Sequence, residues 1–249
     1  NKIIAISSGG ILKKYCHEYN HIRLDIPIGF QPRCALGYSS SMIILILIEL
    51  NLVDDKPKNT IKHELKLASK LLQSNQLGNL KNIKSSNDNP AILLASKLQN
   101  RIPVIYGNEE FSSIIALRFK NQLQENSKIM AFSNNYPEIN HNEIEGWDLN
   151  GEYFAIWLSD ENGNSYDADN AIELLDQLRD QNIASPIIEQ TVINLDCHLT
   201  SKIGYKLGVL YASIYFFDWV SYYLALLQKE NPCSIDNIKY VKKNNKEIL

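Results

Sequence analysis

Residues 102–133 read IPVIYGNEEFSSIIALRFKNQLQENSKIMAFS. The first six residues are a short apolar run closed by Gly107, the pattern of a strand buried on both faces. FSSIIALRFKNQLQEN (111–126) reads as a helix and KIMAFS (128–133) as the next strand. Strand–helix–strand is the βαβ unit of a parallel sheet. The alternation continues downstream through YFAIWLS (153–159), a strand, NAIELLDQLRDQ (170–181), a helix, and PIIEQTVI (186–193), a strand. PAILLASKLQ (90–99) precedes the unit as a helix. TSKIGYKLGVLYASIYFFDWVSYYLALLQ (200–228) follows it as one long or two joined helices, and SIDNIKYVKK (234–243) as a terminal helix. Four strands alternating with helices predict a doubly wound αβα sandwich.

A smaller lobe precedes it. IIAIS (3–7) and IRLDIP (22–27) read as strands flanking the polar helix ILKKYCHEY, and an apolar helix should run from about Ala35 to Leu50. TIKHELKLASKLLQSN (60–75) is amphipathic, with Ile61, Leu65, Ala68, Leu71 and Leu72 on one face. The expected organisation is residues 1–55 as part of a first domain, 56–90 as a connecting helix and linker, and 91–249 as a second domain. Two strands in about 50 residues cannot close a two-faced sheet of ordinary domain size. The chain also opens without Met or a signal peptide. Residues N-terminal to Asn1 are therefore expected to complete the first lobe.

The 249 residues are 45% hydrophobic with a formal net charge of -3. That balance offers no nucleic-acid surface. Cys16, Cys34, Cys197 and Cys233 form no CxxC pair, which predicts no disulfide framework and a reducing cytoplasm. MIILILIEL (42–50) and YASIYFFDWVSYYLALL (211–227) contain Glu49 and Asp218, and the first is far short of the ~20 residues of a span. Both read as buried helices of a soluble protein, without a membrane partner.

Ligands of open α/β sheets sit at the carboxyl ends of the strands. SSGG (7–10) resembles a phosphate-cradling turn, although a plain strand-to-helix turn explains it equally well. Arg33, stiffened by Pro32, either caps local acids or points a fork of donors into a cleft. Glu125 ends a helix, where the macrodipole disfavours a carboxylate. His141 is alone in a loop crowded with Glu138, Asn140, Asn142, Glu143 and Glu145, and a lone loop histidine is more often structural than catalytic. His17 and His21 are four apart on a polar helix without an acidic partner, so no metal site is expected. GxSxG, GxGxxG and GxxxxGK[ST] are absent from the sequence.

Four stretches in order, IAISSGG (4–10), IPIGFQPRCALGY (26–38), RIPVIYG (101–107) and ALRFKNQLQENSK with YPEINHNEIEGW (116–128, 136–147), resemble the bifunctional phosphoglucose/phosphomannose isomerases of the SIS superfamily. The resemblance runs through nearly the whole chain to NPCSIDNIKYVKK. It implies two SIS domains, each a parallel αβα sandwich, with the first incomplete here. It implies isomerisation of glucose 6-phosphate, and of mannose 6-phosphate, with fructose 6-phosphate through a cis-enediol. Neither metal nor cofactor is implied, and a homodimer is.

By the same resemblance Glu125 is the base that moves the proton between C2 and C1. His141 opens the ring, in its own or a partner subunit, and Arg33 binds substrate and steadies the enediolate. A third catalytic residue, Lys242, falls in IKYVK, where the family has I-D-x-L-K. Asn126, Asn140 and Asn142 are read as orienting the acid and base. The family's two Ser/Thr/Gly-rich phosphate turns come before the IAISSGG strand, so roughly 100 residues of a first SIS domain are expected upstream. The competing reading is a non-catalytic sugar-phosphate-binding module or an inactive truncated paralogue.

Overall fold

A computed structural model describes residues 3–85, 88–108, 112–136, 138–146, 152–159, 168–180, 189–195 and 206–244. Cys197, the tip of YGNEEF (109–111), and the starts of PIIEQTVI (186–188) and of the long apolar helix (200–205) lie outside the described residues. The chain divides into two compact units, Asn1–Lys66 and Leu67–Leu249.

The second unit is built on β3 (Ile102–Asn108), β4 (Phe132–Tyr136), β5 (Tyr153–Ser159) and β6 (Glu189–Asn194). All pair in parallel in the order β4-β3-β5-β6. Parallel neighbours need crossovers. α6 (Ser112–Gln122) lies between β3 and β4, and α8 (Ala168–Asp180) between β5 and β6. Alternation along the strands sorts side chains onto two faces. Ile105, Phe154, Ile156 and Leu158 join the larger core with α5 (Pro90–Leu98), α6 and α9 (Lys206–Leu227). Val104, Tyr106, Ala155 and Trp157 join a second cluster with Tyr136, Ile139, Ala168 and Ala171. Phe119 of α6 and Phe217 of α9 stack at 4.3 Å in the first core. At the β3–α6 turn the backbones approach so closely that a Cβ on Gly107 would lie 2.5 Å from the Ser112 carbonyl carbon. Glycine alone fits there.

The sequence places the strand after α6 at 128–133, whereas the ladder with β3 runs over 132–136. The reason is the helix before it. Leu123–Ser127 adds a wide π turn to α6, and Lys128 then turns left-handed at φ 60°. The chain reaches the β3 edge only at Phe132, opposite Val104. Ile129 and Ala131 pack into the larger core instead of opening the strand.

The first unit holds β1 (Ile4–Ser7) and β2 (Ile22–Asp25), a parallel pair bridged by α1 (Gly10–Glu18), followed by α2 (Leu36–Glu49). α3 (Asp55–Leu72) starts earlier than its periodicity suggested, because Pro57 falls in the first turn, where its missing N–H costs nothing. The expected burial of α2 does not hold within this unit. Ile48 is its buried residue, while Ile43, Leu45 and Leu47 are 40–49% exposed. Two paired strands are too narrow to cover a helix of this apolarity. Among the described residues, two helical stretches, Pro32–Glu49 and Lys206–Leu227, are long and apolar enough to cross a membrane by length and composition. The second is 56% buried within its window and the first 11%.

Candidate active site

Glu125 sits in the π turn that closes α6. Such single wide turns concentrate at functional positions because they offset a side chain from the helical ladder. The turn is tied down residue by residue. Leu123, its first residue, is fully buried. Asn126 Nδ2 donates to Ser221 Oγ at 2.9 Å, and Ser127 Oγ donates to the Ser221 carbonyl at 2.7 Å. Ser221 Oγ donates in turn to the Asp218 carbonyl. The Asp218 carboxylate receives the Arg118 guanidinium at 3.0 Å and the Gln122 amide at 2.8 Å. Lys128 Nζ donates to the carbonyl of Glu125 itself at 2.5 Å and to the Ser234 carbonyl at 2.6 Å. An ammonium on the last carbonyls offsets the negative helix end that a carboxylate at Glu125 would otherwise meet unaided.

His141 lies on the other side of β4. It ends a 3-10 turn, Glu138–His141, and a four-residue helix α7 (Glu143–Gly146) follows. His141 itself is exposed. Two residues before it, Ile139 is buried in the cluster of Tyr106, Tyr136 and Trp157. Two residues after it, Glu143 accepts the Tyr106 hydroxyl at 2.7 Å and the Asn134 amide at 2.6 Å, one on each carboxylate oxygen. Because β3 and β4 are parallel, α6 returns the chain to the amino end of β4, beside Glu125. His141 follows the carboxyl end. About 13 Å of strand, at roughly 3.3 Å per residue, separates those two ends.

Lys242 is exposed on α10 (Asp236–Asn244). The start of α10 is held by Ser234 Oγ donating to Asp236 at 2.6 Å. The Ser234 hydroxyl, helped by Lys239 and Lys128, keeps the Asp236 carboxyl below its ordinary range. The Lys128–Ser234 bond thus tethers the approach to α10 at the edge that carries Glu125. In the first unit, Arg33 is half-buried in a 3-10 turn, Pro32–Ala35, downstream of β2. SSGG follows β1, with Gly10 opening α1 at φ 71°. Among the described residues no group of three or more His, Cys, Asp or Glu side chains is placed to hold a metal ion.

Lys128, Ser221 and Asp218 were not singled out as site residues by sequence reasoning. A faint signal existed: Asp218 and Ser221 are polar residues three apart on an otherwise apolar helix, hence on one face.

Residues 87–244 match the family model described as the bacterial phospho-glucose isomerase C-terminal SIS domain. A bifunctional phosphoglucose/phosphomannose isomerase of Caldicellulosiruptor bescii is 32% identical over 254 residues, covering 99% of this chain and 69% of that protein. A protein of the same name from Aquifex aeolicus is 26% identical over 249 residues, covering 99% of this chain and 68% of that one. Among solved structures, a glucose-6-phosphate isomerase like protein from Thermus thermophilus shares the fold at TM-score 0.53 and 14% identity, covering 96% of this chain and 77% of that chain.

Proposed function

Because this chain belongs to the bacterial phosphoglucose isomerase family, marked by its C-terminal SIS domain, we propose that it interconverts glucose 6-phosphate, and mannose 6-phosphate, with fructose 6-phosphate. The observation that carries the reading is Glu125, a carboxylate on a π turn whose next three residues are each hydrogen-bonded in place. A base that takes a proton from C2 and returns it to C1 must keep its position through both transfers, and rigid support supplies that.

In the proposed mechanism His141 transfers the proton that opens the pyranose or furanose ring, since an imidazole can donate from one ring nitrogen and accept at the other. Glu125 then removes the C2 proton of the aldose, giving a cis-enediolate, and delivers it to C1 to form the ketose. Arg33, a permanent cation, stabilises the negative charge on the enediolate oxygen without giving up a proton. Lys242, exposed on α10, is the further catalytic cation that the family likeness assigns. Glu125 and His141 supply the base and the acid, and no step of the scheme is routed through a metal ion.

The same reading makes residues 1–55 part of one SIS domain and 91–249 a second, joined by 56–90. It carries a cytoplasmic location and a homodimer. The dimer has a specific support. α6 delivers Glu125 to the amino end of β4 and His141 follows its carboxyl end, an arrangement that favours a site completed by His141 of a second copy.

The direct test is a coupled assay of fructose 6-phosphate turnover. Glu125→Gln should lower kcat by about 10²–10⁴-fold, the usual worth of a positioned general base, with an unchanged circular dichroism spectrum. Wild-type turnover in that variant removes Glu125 from the base role.

A further inference from the structure

The stretch around His141 is rich in carboxylates, and Glu143 has no part in the proton transfers above. Its carboxylate is nevertheless held by two hydrogen bonds from the sheet. Both oxygens are engaged, one by the Tyr106 hydroxyl and one by the Asn134 amide. The two donors are register partners on adjacent strands, Tyr106 of β3 opposite Asn134 of β4. Tyr106 is fully buried and stacks on Trp157 of β5, its register partner on the other side, at 4.5 Å. Trp157 Nε1 in turn donates to the Gln190 side chain of β6 at 3.1 Å. One side chain from each of the four strands therefore contributes to the row that ends on Glu143.

We propose that Glu143, clamped by Tyr106 and Asn134, is the positioning residue that holds His141 for ring opening. The proposal rests on the ring-opening role assigned to His141 above. The turn bearing His141 is short, and its imidazole is exposed, so its direction is set by what fixes the turn on either side. Ile139 anchors it two residues before through apolar burial. Glu143 anchors it two residues after through charge-assisted hydrogen bonds, which are short and directional. An apolar anchor alone leaves the segment free to rotate about it; a carboxylate bound at both oxygens does not. Ring opening needs the imidazole within hydrogen-bond reach of the ring oxygen, and a misplacement of about 1 Å can cost ~10²-fold in rate. Glu143 never touches the sugar in this scheme and exchanges no proton.

The test is a double-mutant cycle read on fructose 6-phosphate turnover. Glu143→Ala should lower kcat by up to about 10²-fold with KM nearly constant. Tyr106→Phe, which keeps the stack on Trp157, should lower kcat by about tenfold, the scale of one hydrogen bond to a charged group. Glu143→Gln should recover most of the loss, because its amide can accept from Asn134 and donate to the Tyr106 oxygen. In a His141→Asn background, adding Glu143→Ala should cost little more, since both act through one group. A purely structural role would instead lower the melting temperature while kcat per folded molecule stayed constant, and a kcat loss acting through a group other than His141 would add fully to His141→Asn; either result overturns the clamp. Undiminished kcat in His141→Asn would remove the ring-opening assignment itself. Loss in His141→Asn with wild-type kcat in Glu143→Ala would remove the clamp alone.

Discussion

Lys128 carries two opposed contributions at one position. Its backbone is left-handed at φ 60°, a conformation costing a non-glycine residue roughly 1–2 kcal/mol. Its ammonium bonds the carbonyls of Glu125 and Ser234. Lys128→Gly separates the two. The glycine relieves the backbone, so the melting temperature should hold or rise. The Glu125 turn loses its tie to the α10 approach, so kcat should fall by about tenfold. A variant that loses stability but keeps kcat would show that the lysine serves the fold and not the base. Glu125 and His141 were legible in the sequence because their motif elements are local and ordered. Lys128 was not, because its partner Ser234 is 106 residues away and accepts through a backbone carbonyl that any residue type carries.

At the scale of elements, α9 organises both the core and the base. Its apolar residues fill the larger cluster, while Asp218 and Ser221 receive the polar side chains of α6 and the π turn. Two residues on, Tyr223 donates from α9 to the Leu80 carbonyl at 2.6 Å, pinning the segment that precedes α5. Burial holds the Tyr223 phenol above its ordinary value of 10.0. A folded pKa raised above the unfolded one means stability fully present below about pH 10 and lost as pH rises through the folded value. Chemical denaturation of the wild type should therefore show weakened stability in strongly alkaline buffer, and Tyr223→Phe should flatten that limb. An identical alkaline limb in the variant would assign the loss to other groups. Element identity was readable from apolar runs, but the start of β4 was not. KIMA is as apolar as a strand, and only the wide turn and left-handed Lys128 delay pairing to Phe132. The exposure of α2 was equally hidden, since apolar composition specifies that a helix face wants cover and not whether its unit supplies it.

At the scale of the whole molecule, the topology of one βαβ unit bears on the proposed dimer. A parallel crossover must return to the amino end of its next strand, which puts Glu125 and His141 at opposite ends of β4. Two inactive proteins, Glu125→Gln and His141→Asn, should then regain activity when mixed and allowed to exchange subunits. A site shared across a dimer leaves one intact site in each mixed pair, or about a quarter of wild-type activity at random exchange. No recovery after verified exchange would place both residues' work within one copy. By itself the sequence determined the parallel α/β class, the family and the identity of Glu125, His141, Arg33 and Lys242 as candidates, because periodicity and short motifs are properties of neighbouring residues. The tertiary structure decided at which end of β4 Glu125 and His141 lie, what holds the Glu125 turn and what grips Glu143. Those depend on strand register and on side chains meeting backbone groups up to about a hundred residues apart, where the pairing is set by packing and leaves no local pattern to read.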